Sequence, residues 1–140
     1  MMRAMTRAMM RAGLLVLATA VLAGAAPAGT PAEAYRAYRK AFDQAKAFED
    51  LWPFMDKATL ARAKAAPPKE AQGLFLLIKG LSDVKNVQVV KETVTGDSAV
   101  LEAAGDNAGT GHRSRATVKL VREDGAWKVQ QESWTGSDSK

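Results

Sequence analysis

A change of period after Ser82 limits the fold more than any other feature of this chain. Before Ser82 apolar residues recur at three- and four-residue spacing, and after it they alternate with polar ones. Thr30, Pro31 and Glu33 predict a helix start, with a threonine cap, a proline in the first turn and a capping box. Tyr35, Tyr38, Phe42 and Ala45 form the apolar stripe of this first helix, which is expected to reach about Phe48. Arg36, Arg39, Lys40, Asp43 and Lys46 fall on its remaining faces. Pro53 disfavours helical geometry at Trp52, so a short helical turn is expected there. A second helix follows through Thr59, Leu60 and Ala63, and Pro67-Pro68 ends it. The third helix, Lys69 to Leu81, carries Ala71, Leu74, Phe75, Leu77 and Ile78 and is expected to be largely buried.

Four strands follow. Val84 to Val94 places Val87 and Val89 on one face and Val90 and Val94 on the other. Gly96-Asp97 turns the chain into a partner strand, Ala99 to Ala104. Asp106 to Gly111 reads as a loop, and Arg115 to Arg122 places Ala116, Val118 and Leu120 on one face. After Glu123-Asp124-Gly125, Trp127 and Val129 alternate with Lys128, Gln130, Glu132 and Trp134. Helices segregated ahead of strands indicate an α+β fold, with three N-terminal helices packed on a curved four-stranded antiparallel sheet. The expected single domain spans residues 29–135, and 136–140 form a polar tail.

Residues 1–28 read as a cleavable signal peptide. Arg3, Arg7 and Arg11 precede a stretch from Ala12 to Ala26 without charge, followed by Ala26-Pro27-Ala28 as the preferred cleavage site and Ala23-Gly24-Ala25 as the second choice. Fifteen uncharged residues are shorter than the roughly 20 that a membrane-spanning helix needs. The expected location is therefore periplasmic or secreted. The 20 basic and 15 acidic residues give +5, but without the three leading arginines the balance is 17 against 15, which argues against nucleic acid as a partner. The chain has no cysteine, which excludes disulfides, thiolate metal sites and a lipoprotein anchor.

The long first helix, the Trp52-Pro53 region and the ending Gly125-Ala126-Trp127-Lys128-Val129 resemble the nuclear transport factor two-like, or SnoaL-like, cystatin-like cone superfamily. The resemblance covers roughly Ala32 to Thr135 and is nearest to small exported bacterial lumazine-binding-like domains of unknown function. It implies a sheet wrapped round a helix, with an apolar pocket at the open end. Some members use a pocket Asp with Tyr for isomerase or hydrolase chemistry; others bind ligands or dimerise.

On that resemblance the candidate ligand pocket is Tyr38, Phe42, Trp52, Phe75 and Trp127, although aromatics at helical and strand spacing are more often core. The weak catalytic candidates are Tyr38 and Asp50, with Tyr35 and Asp56 as alternates, because a desolvated carboxylate beside a tyrosine could move a proton. His112, Arg113 and Arg115 could grip an anion or simply be solvated. Trp134, expected opposite Trp127, would suit an interface. No metal or cofactor motif is present. The resulting expectation is a non-catalytic exported domain that binds a small apolar ligand or an envelope protein. Its rivals are an isomerase- or hydrolase-like enzyme with a Tyr/Asp pocket and a homodimeric structural module.

Overall fold

The computed structural model describes residues 29–136, so the signal-peptide reading of residues 1–28 and the tail beyond Gly136 lie outside the described residues. Helix α1 (Pro31–Gln44) begins with a reciprocal cap. Thr30 Oγ1 accepts from the Glu33 amide at 3.2 Å, and the Thr30 amide donates to Glu33 Oε2 at 3.3 Å. A second carboxylate, Glu92, accepts from the Ala32 amide at 3.3 Å and complements the positive helix end. The helix stops at Gln44, earlier than the expected Phe48. Asp50 explains this: its carboxylate takes the Lys46 and Ala47 amides that would have continued the ladder.

Three further helical elements precede the sheet: a 3-10 helix (Phe48–Phe54), α2 (Lys57–Ala65) and α3 (Pro68–Leu81). The 3-10 helix falls where a short helical turn is expected and, counted as a helix, brings the number to four beside the three expected. Helix α3 also corrects the expectation of burial. Only Phe75 is buried, while Leu74, Leu76, Leu77, Ile78 and Leu81 are all exposed. The apolar period made the helix legible, but α3 packs chiefly on the 3-10 helix and leaves most of its apolar surface uncovered.

Strands β1 (Val84–Thr95), β2 (Ser98–Asn107), β3 (Arg113–Glu123) and β4 (Ala126–Gly136) form an open antiparallel meander in sequence order. The last turn is an Asp-Gly pair, Asp124 and Gly125, with φ of 52° and 78° at the two residues. Register slips twice in β1, around Asn86 and around Val90, and once in β4 at Gln130. Such bulges bend a strand and deepen its twist, which gives the sheet its curve. Asn86 tolerates a φ of 54°, and Gly105 opposes it. A Cβ at Gly105 would lie 2.4 Å from Val84 Cγ1, so the bulged strand presses directly on the glycine backbone.

The Gln130 bulge corrects the expected alternation of β4. Val129 pairs with Leu120, but Glu132 pairs with Val118 and Trp134 with Ala116. Glu132 and Trp134 therefore share the inner face with Val129 and Trp127 rather than opposing them. On that face Leu101, Val118 and Leu120 are fully buried, and alanines at 99, 103 and 116 leave room for Tyr35 of α1 to sit against the sheet. A second cluster, Phe42, Ala45, Leu51 and Phe75, joins the end of α1 to the 3-10 helix and α3.

These packing differences predict opposite effects for two glycine-to-alanine changes. Gly105→Ala overpacks the bulge and lowers stability by about 1–3 kcal/mol. Gly73→Ala, in open space within α3, raises it by up to ~1 kcal/mol. Chemical denaturation of both variants measures the two signs.

Candidate functional site

Between α1 and the helical layer formed by the 3-10 helix, α2 and α3 lies an open cavity of about 620 Å³. Tyr38 and Phe42 of α1 line one wall, and Phe48, Leu51 and Met55 line the next. Thr59, Arg62 and Ala63 of α2 contribute, and α3 adds Leu74, Phe75, Ile78 and Leu81. Strand β4 supplies the floor from Val129 to Glu132, together with Trp134. Among the described residues, Glu132 is the sole carboxylate in this lining.

Glu132 anchors a polar knot at the base of the cavity. Its Oε2 accepts from the Tyr35 hydroxyl at 2.5 Å, and its Oε1 accepts from Arg39 Nη1 at 3.4 Å. Arg39 Nη2 also donates to the Ser82 and Val84 carbonyls, which ties α1 to the entrance of β1. The guanidinium lies over the Phe42 ring at 4.7 Å and near the Trp134 ring at 5.6 Å. Arg39 itself is buried, contrary to its expected place on a solvated face. Its spacing from Tyr35 and Phe42 (four and three residues) marks it as part of the inward stripe, a signal that its charge obscured. Two donors here, Arg39 Nε and Trp134 Nε1, are buried without a partner among the described residues.

Tyr38 and Phe42 continue this knot into an aromatic chain, with Tyr38 edge-on to Phe54 and Phe42 edge-on to Phe75. Burial, then the neighbouring Glu132 charge and its hydrogen bond, push the Tyr35 hydroxyl far above the ordinary tyrosine range. Tyr38 is raised in the same way, by burial first and then by Glu132. Both phenols therefore stay protonated, and that of Tyr35 donates to Glu132.

Of the residues singled out in sequence, Tyr38, Phe42 and Phe75 line the cavity, whereas Trp52 and Trp127 do not. Lys64 lies 5.4 Å from the Trp52 ring, and Arg122 lies 5.3 Å from the Trp127 ring. Asp50 is exposed and serves as the local cap described above; its two backbone donors hold its carboxyl below the usual range. Asp56 is buried but lies outside the cavity lining, where its amide donates to the Val129 carbonyl at 3.4 Å. Neither aspartate is brought to Tyr38 in the cavity; Glu132 occupies that position. His112, Arg113 and Arg115 are exposed on the far loop and strand, where Arg113 pairs with Asp106. Among the described residues no helix is long and apolar enough to cross a membrane. Comparison with family models, curated proteins and solved structures gives no match.

The raised tyrosines set a sign for alkaline stability. A folded-state value above the unfolded one stabilises fully below the unfolded value, about 10, and that contribution is lost as pH rises beyond it. Tyr35→Phe removes a hydrogen bond to a carboxylate and costs about 1.5–3 kcal/mol at neutral pH. Denaturation at stepped pH should show the gap between parent and Y35F closing above about pH 10.

Proposed function

We propose that this chain is exported and that its domain is a non-catalytic binder of a small apolar or amphiphilic molecule held in the cavity. The reading is carried by one observation: an open space of about 620 Å³ lined mainly by aliphatic and aromatic side chains from α1, α3 and β4. That volume falls within the roughly 300–1,000 Å³ typical of small-molecule sites. The charged groups of the lining are two, Glu132 of β4 and Arg62 of α2, which suits a ligand with an apolar body and a polar head. Helices followed by a curved antiparallel meander also support placing the domain with the nuclear transport factor two-like cones. Fold alone does not assign activity within such a group.

Titration with cis-parinaric acid, a fluorescent single-chain amphiphile, tests the cavity. Saturable one-site binding is expected, and Ala63→Trp, which fills the space from α2, should weaken it by about tenfold or more at unchanged stability, a difference of ~1.4 kcal/mol. Absence of saturable binding, or equal binding by A63W, overturns the reading. Mass determination of the protein recovered from cells tests export: the expected chain begins at Gly29, and a retained Met1 contradicts cleavage.

A further inference from the structure

We propose that the uncovered face of α3 docks the protein on an anionic lipid surface. Leu74, Leu77, Ile78 and Leu81 are spaced to form one stripe along the helix, each at least 44% exposed. Four large aliphatic side chains in water on one helix exceed the scattered exposure normal for a protein surface. Three of them, Leu74, Ile78 and Leu81, also rim the cavity, whereas Leu77 does not line it.

Charge identifies the occupant. Residues 57–81 hold five basic side chains and one acidic, whereas the rest of the described chain holds eleven basic and thirteen acidic. Positive charge is thus concentrated on α2 and on α3, the helix that carries the bare leucines. Arg62, Lys64 and Lys69 are exposed, and Arg62 of α2 lines the cavity beside Leu74, Ile78 and Leu81; Lys69 stands on the side of α3 turned from the stripe, and Glu70, the one acidic residue of the segment, lies in line with it. An apolar helix face flanked by lysine and arginine is the arrangement that seats a helix at the boundary between acyl chains and anionic headgroups. Each basic residue near such a surface strengthens partitioning about fivefold. The docking does not depend on the cavity being occupied, although it would bring the cavity mouth to a source of single-chain and two-chain lipids.

The chain has no cysteine, so Leu77→Cys accepts one environment-sensitive nitrobenzoxadiazole label, and Val100→Cys on the exposed outer face of β2 provides the control. The full chain is mixed with vesicles of phosphatidylcholine alone or with equal parts phosphatidylglycerol. A blue shift at position 77 with the anionic vesicles only, weakened by salt and absent at position 100, is the expected result. Lys64→Gln with Lys69→Gln should weaken this response about twentyfold. No shift, an equal shift with neutral vesicles, or equal shifts at both positions would overturn the proposal, the last because the apolar run near the amino terminus would then be carrying the chain to the membrane. A vesicle-independent shift that grows with protein concentration would also overturn it, in favour of a second copy covering α3. Leu77→Glu should abolish docking while leaving cis-parinaric acid binding in solution unchanged, so failure of the docking surface and failure of the cavity are separable.

Discussion

The carboxylate of Glu132 joins three parts of the chain that are distant in sequence. Tyr35 and Arg39 of α1 reach it from one side, and Arg39 extends the connection to the Ser82 and Val84 carbonyls where the sheet begins. A charged pair with so little contact with water is costly to desolvate, and hydrogen bonds to its polar atoms offset that cost. Here two donors serve the carboxylate, and two carbonyls with one carboxylate serve Nη1 and Nη2 of the guanidinium, while its Nε has no partner among the described residues. The same arrangement fixes the tilt of α1 across the sheet and so defines the space left between α1, β4 and the outer helices.

The bulge at Gln130 makes that interaction accessible to β4. Without the extra residue, Glu132 and Trp134 would follow the simple alternation and point away from α1. With it, the strand delivers Val129, Glu132 and Trp134 to one face and supplies the cavity with an apolar floor and a polar end. The two slips in β1 have a complementary role, curving the opposite edge and bringing Glu92 to the start of α1. Sheet curvature and cavity are thus consequences of the same local irregularities.

Much of the architecture was legible because it rests on local periodicity. The alternation of Ala116, Val118 and Leu120, the capping box at Thr30 and the Asp124-Gly125 turn each report on nearest neighbours in sequence. The site was less legible because it depends on departures from period. The charge of Arg39 suggests a solvated face, although its spacing from Tyr35 places it inward, where it is buried. Simple alternation puts Trp134 opposite Trp127, and the adjacent polar pair Gln130-Gln131 is the one sequence sign of the bulge that reverses it. The apolar residues of α3 declared a helix but not what covers it, since burial is set by elements elsewhere in the chain.

The coupling between Tyr35 and Glu132 is the quantity that tests this account most directly. A double-mutant cycle with Tyr35→Phe, Glu132→Gln and the pair, followed by chemical denaturation, measures it. A buried, directly bonded pair predicts a coupling of about 1–3 kcal/mol. Strict additivity would mean that the two side chains do not meet, and would contradict both the inward turn of β4 and the cavity built on it.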